Sequence, residues 1–215
     1  FTCINGAMFG FFSFMSDFLH EVSAFSFDAV SSVLLAYGFA NIVGNMLAGR
    51  VFGRYKKLFT RVGPAMMLVL YSLLYVFAPN GIFAAVLVVL LGICAGFINI
   101  SGQYMISSAA REAPDFSNGL FLTAANFGTA MGTSLCGIFI SLMDSRAALF
   151  ATGILLIVSL VLSYARTTAG STRRFAVLVR PDAKKNSAAV AINGCFSIVW
   201  LHFCVTLTSE QTQSS

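Results

Sequence analysis

Charge is what this sequence has least of. Only 10% of its 215 residues are Asp, Glu, Lys or Arg, against roughly a quarter in soluble domains. So few charges cannot coat an ordinary water-facing surface. Proline is nearly missing as well, with 4 residues, so little in the chain stops a helix once it has begun. Histidine occurs twice and cysteine five times. Cys3, Cys94, Cys136, Cys195 and Cys204 all lie in apolar stretches, with no CxxC pair and no metal-ligand spacing. Cysteines in such surroundings act as small hydrophobes, so neither a disulfide, a metal nor a cofactor is expected. HExxH, GxSxG, a Walker loop and paired intramembrane carboxylates are all missing. The expectation is a protein that is not an enzyme. No basic patch is interleaved with stacking aromatics, which argues against a nucleic-acid partner.

What is present is apolar length. Hydrophobic residues make up 58% of the chain, and the mean hydropathy is +0.85. Six apolar blocks follow one another, at 1–19, 29–48, 62–78, 82–107, 119–143 and 147–165. A helix crosses the hydrocarbon core in about 20 residues, and each block is long enough. Lipid offers the backbone no hydrogen bonds, so such spans should be helical. A barrel would need ten-residue stretches of alternating polarity, and none occur. The predicted class is an all-α membrane protein with six transmembrane helices in 1–165.

Orientation follows from the basic residues. Arg50, Arg54, Lys56, Lys57 and Arg61 occupy the second connection, Arg111 the fourth, and six more follow residue 165. These twelve share one side, whereas Arg146 alone falls on the other with Asp17, His20, Glu21 and Asp28. The positive-inside rule makes the basic side cytoplasmic, so the net charge of +5 reflects topology. Lys56 and Lys57 are expected inside, and Glu21 and Asn80 outside. The chain opens at Phe1 directly in a span, which leads us to expect a fragment cut ahead of that helix. Beyond the spans, 166–187 reads as a basic cytoplasmic tail. Three structures stay open for the apolar stretch 188–208: a seventh span, an interfacial segment, or sequence that never packs with the rest.

Polar side chains at membrane depth tend to face the bundle interior or water. Tyr37, Asn41 and Asn45 are four residues apart and share a helix face. Asn99 and Gln103 do the same in the fourth block, and Asn126, Thr129 and Thr133 form a stripe in the fifth. The first block carries Asn5, Ser13, Ser16 and Asp17, while the third and sixth are nearly pure Leu, Val, Met and Phe. Four polar helices and two apolar ones suggest a solvated cavity with outer supports. The competing explanation is that single amides and hydroxyls merely join helices, which is common in membranes. Gly92-x3-Gly96 and Gly128-x3-Gly132 permit close helix contact. Asp17 shares a face with Ser13 and His20, as proton coupling would require, although it also fits a plain acidic outer surface.

The strongest local motif is GNMLAGRVFGRYKKL at 44–58. It resembles the loop between helices 8 and 9 of the major facilitator superfamily, the second-half copy of its G-x-x-x-D-R-x-G-R-[RK] signature. Gly49, Arg54 and Lys57 match that pattern, whereas Gly53 stands where Asp is usual and Lys56 where Gly is usual. The form GN-x-L-x-GR-x-x-GRY is similar to the arabinose efflux permease group of the drug:proton antiporter branch. FSFDAVSSVLLAYGFANIVGN and AANFGTAMGTSLCGIFIS are similar to that group too.

The resemblance covers about 1–165 and implies that the six spans are helices 7 to 12 of a twelve-helix transporter. The N-terminal six-helix half would then be the partner. Helices 7, 8, 10 and 11 would border the cavity, and 9 and 12 would stand outside. The implied function is proton-coupled efflux of a small solute (a sugar, nucleoside or drug) across a bacterial inner membrane. Gly49, Arg54 and Lys57 would form an inner gating loop. A non-transporting scaffold or receptor-like protein is the alternative, though it would more often carry large loops or soluble domains.

Overall fold

The structure, a computed structural model, describes residues 1–109 and 114–168, with the side chains of 52–61, 109, 114 and 166–168 outside that description. Every regular element among these residues is helical. The order is α1 (Thr2–Ser13), α2 (Met15–Glu21), α3 (Phe27–Phe77), α4 (Gly81–Ala109), α5 (Pro114–Leu142), a 3₁₀ turn (Ser145–Ala147) and α6 (Ala148–Thr168). Four stretches are long and apolar enough to cross a membrane: Phe27–Val51, Gly81–Ser108, Asp115–Leu142 and Ser145–Ala165. Val62–Phe77 is a shorter apolar helix.

Two boundaries differ from the sequence expectation. The first block is one helix in the sequence but two in the structure, because Phe14 leaves helical geometry at φ −112°, ψ 11°. Its N–H bonds the Phe11 carbonyl three residues back, at 3.0 Å. The Ser13 hydroxyl donates to Phe9 O at 2.9 Å, a competition for the i−4 carbonyl that bends helices. The second difference is that the expected basic loop stays helical, so α3 runs for 51 residues. Between Val51 and Gly63 there is no Pro, Asp, Asn or Ser to end it.

A straight helix of that length would be about 75 Å long, yet both ends of α3 lie beside the start of α4. Phe25, just before α3, packs on Gly81, where an added Cβ would come within 3.2 Å of its ring. Phe77, the last residue of α3, packs against Phe83 with ring centroids 5.6 Å apart. Further along, Gly92 faces Tyr37 and Gly63 faces Ile98. The first limb of α3 therefore runs parallel to α4 and the second limb antiparallel. The chain turns back between Gly44 and Gly63, ahead of Pro64 within the helix.

Helix α1 runs parallel to α5, with Phe1 against Phe121 at 5.1 Å and Asn5 against Ala125. Small residues let both parallel pairs approach closely. A Cβ on Gly6 would lie 2.5 Å from Gly128 O, and one on Gly92 2.7 Å from Tyr37 O. Only glycine fits at such crossings. Pairing the first segment with the fifth, and the second with the fourth, is the pattern that two inverted three-helix units generate.

The core lies where α1 meets the second limb of α3 and α6. Phe11, Phe18, Met67, Leu74, Leu155 and Leu156 are among its buried members, and Phe11 packs edge-on against Tyr71 at 5.3 Å. The apolar third and sixth blocks supply many of these buried side chains.

Candidate functional site

The polar stripes divide by what their side chains do. Asn5 is 1% exposed and its Nδ2 donates to Ala125 O at 2.7 Å and to Thr129 Oγ1 at 3.1 Å. Thr129 itself donates to Ala125 O at 3.0 Å. One helical turn on, Thr133 Oγ1 lies 3.4 Å from Ser13 Oγ. Thr129 and Thr133 are therefore occupied in joining α5 to α1. On α3, Asn45 Nδ2 donates to Asn41 Oδ1 at 3.1 Å, and the backbone of both residues packs on Gly96. Tyr37 stacks on Phe12 of α1 at 5.0 Å and 26°, while its carbonyl faces Gly92. The first-limb stripe thus lies along the crossing with α4.

Asn99, Gln103 and Asn126 differ. None forms a hydrogen bond among the described residues. Asn99 and Asn126 are half-buried and Gln103 is exposed. Asn99 and Gln103 extend the α4 stripe of Gly92 and Gly96 past the crossing. Asn126 flanks the α1-facing side of α5, beside exposed Phe127. An amide without a partner at this depth must meet water or another molecule, since leaving it dry costs on the order of 2 kcal/mol or more.

The opposite end of the bundle gathers Asp17, His20, Glu21, Asn80 and Ser145. His20 Nδ1 bonds Phe25 O at 2.8 Å, and its ring stacks on Phe27 at 4.3 Å. Glu21 accepts the Ser145 hydroxyl, tying α2 to the turn before α6. Asp17 is exposed on α2. Gly49 is exposed, with open space where a Cβ would stand. The side chains of Arg54 and Lys57 lie outside that description, as do residues 169–215. Among the described residues no group of three or more His, Cys, Asp or Glu could hold a metal.

Sequence spacing undervalued three side chains. Asn5 was legible as polar but not as the bridge to α5, and only its neighbour Gly6, in step with Gly10, hinted at a crossing. Phe12 against Tyr37 and Glu21 against Ser145 are contacts between distant segments with no local signature.

A multi-pass helical bundle with polar faces on some helices and apolar supports behind them defines a class of membrane proteins. Within it, the Major Facilitator Superfamily matches residues 1–209, and the chain belongs to that family. The match continues past residue 165, through most of the segment that showed no resemblance. The chain is similar to the putative transporter AraJ of Escherichia coli (strain K12), with 28% identity over 140 residues. That alignment covers 64% of this chain and 35% of AraJ, so the chain spans about a third of that relative's length. No solved structure matches.

Proposed function

We propose that this chain is the second six-helix half of a twelve-helix secondary-active transporter that exports a small solute in exchange for protons. The observation that carries it is the set of unpaired amides, Asn99, Gln103 and Asn126, at membrane depth on two helices of one bundle. Helix-joining amides spend their Nδ2 donors on neighbours, as Asn5 and Asn45 do. Unpaired amides fit a wall that faces water and solute, completed by the N-terminal half of the same transporter. AraJ, described as a putative transporter, supports the same direction.

In this account Tyr37, Asn41, Asn45, Asn99, Gln103, Asn126, Thr129 and Thr133 border the solute path. The bonded members shape its walls, and the unpaired ones contribute hydrogen bonds to solute. Gly49, Arg54 and Lys57 hold the inner gate, where the guanidinium of Arg54 meets helix C-terminal carbonyls in the outward-open state. Asp17, exposed at the outer end, takes and releases the coupling proton. The basic ends face the cytoplasm of a bacterial inner membrane.

The test is transport by the full-length protein in proteoliposomes. An imposed pH gradient should drive solute movement that a protonophore abolishes. Solute movement indifferent to the gradient would remove the proton from the account. No movement of any solute would remove transport itself.

A further inference from the structure

The open face of α1 brings together residues that no polar stripe had joined. Ile4, Met8, Phe11 and Met15 turn into the core, and Gly6 and Gly10 press on α5. Between those faces lie Phe9, Phe12, Ser13 and Ser16, all half-buried or exposed. Tyr37 of α3 borders this strip on one side and Thr133 of α5 on the other. Phe12 stays 37% exposed although its ring stacks on Tyr37. Ser13 stays exposed although its hydroxyl meets Thr133. An aromatic wall and a hydroxyl pair therefore stand on consecutive residues, immediately before the break at Phe14. The nearest charge along the segment is Asp17, beyond that break.

We propose that Phe9, Phe12, Ser13, Tyr37 and Thr133 form a subsite for an uncharged solute with a flat ring face and hydroxyl or amide groups at its edge. This rests on the reading that the bundle lines a solute path. The ring lies against Phe12, whose stacking on Tyr37 holds it in place. The edge groups reach the Ser13 and Thr133 hydroxyls; Ser13 spends its proton on Phe9 O, and each oxygen keeps acceptor capacity beyond their mutual contact. A lipophilic cation gains only the ring faces here, since the nearest carboxylate along the segment, Asp17, stands past the break at Phe14. A flexible polyol gains the hydroxyls but no stacking.

The experiment measures equilibrium binding to the purified full-length protein in lipid nanodiscs with three probes. Adenosine has a flat ring, a hydroxylated edge and no charge. Mannitol has hydroxyls without a ring, and tetraphenylphosphonium has rings with a charge and no hydrogen-bonding group. Adenosine should bind tightest. Phe12→Leu should weaken it by at least about fivefold, the loss of one stacked ring, while Phe12→Tyr retains it. Ser13→Ala should weaken it about threefold or more, and Ile157→Leu on the exposed side of α6 should change nothing. Comparing the Leu and Tyr variants at equal folded amount separates loss of stacking from loss of fold. Absence of adenosine binding, tightest binding of the cation or the polyol, or equal adenosine affinity in Phe12→Leu and wild type would overturn the subsite. Proton-driven transport of some other solute that survives Phe12→Leu would overturn it too, while leaving the transport reading intact.

Discussion

An asparagine at membrane depth needs a partner or water, and this chain contains both cases. Asn5 gives two hydrogen bonds to α5, whereas Asn126 has no partner among the described residues. Interhelical bonds in membranes average about 0.6 kcal/mol, so Asn5→Leu should lower stability by roughly 1 kcal/mol in detergent-unfolding titrations. Asn126→Leu should leave stability unchanged and reduce transport per folded molecule. The reverse pattern would exchange their assigned roles. Asn41 now sits between these cases. That Tyr37, Asn41 and Asn45 share a face was legible from their spacing of four, but what the face meets was not. Spacing along one helix says nothing of its neighbour, and here the neighbour is the glycine pair of α4.

At the scale of elements, the glycine crossings set how closely the helices pack. A side chain on Gly132 would be driven into the backbone of Gly6, with no flexible group able to yield. Gly132→Val should therefore cut the folded yield severalfold, while Gly153→Val, where a Cβ meets nothing within 4 Å, should spare it. Equal yields would show that the α1–α5 crossing is looser than described.

The long helix α3 makes the topological expectation sharper. Its ends return to one end of the bundle, beside Gly81 and Phe83, and Glu21 reaches Ser145 at that same end. In a full-length variant without native cysteines, an impermeant maleimide applied outside should label cysteines at 21 and 80 and miss one at 56. Labelling at 56 alone would invert the orientation. The turn-back itself was visible in the sequence as a basic interruption between two apolar blocks. Its helical backbone was not, because the absence of stop residues is a weaker signal than a run of charge. The break at Phe14 was hidden for a related reason, since it depends on a serine bonding its own helix.

For the molecule as a whole, composition and block length carried the all-helical membrane class, with four stretches among the described residues long and apolar enough to cross. Apolar stretches of spanning length with charges between them leave little choice of class, and the two least polar blocks contribute many of the buried core residues. The site was less legible. Sequence marks which side chains are polar, but whether each is bonded or open depends on the tertiary crossings.

The central claim is that this bundle presents a water-filled face rather than a sealed core with lipid all around. Single cysteines at Asn126, Gln103 and Ile154 in the full-length protein test it directly, by their rates of reaction with a small membrane-impermeant thiosulfonate. Gln103 is exposed and Asn126 half-buried on the polar faces, while Ile154 is half-exposed on α6. The account predicts that positions 126 and 103 react and that 154 does not, with solute slowing the reaction at 126. Silence at 126 and 103, or equal reaction at all three positions, would contradict it.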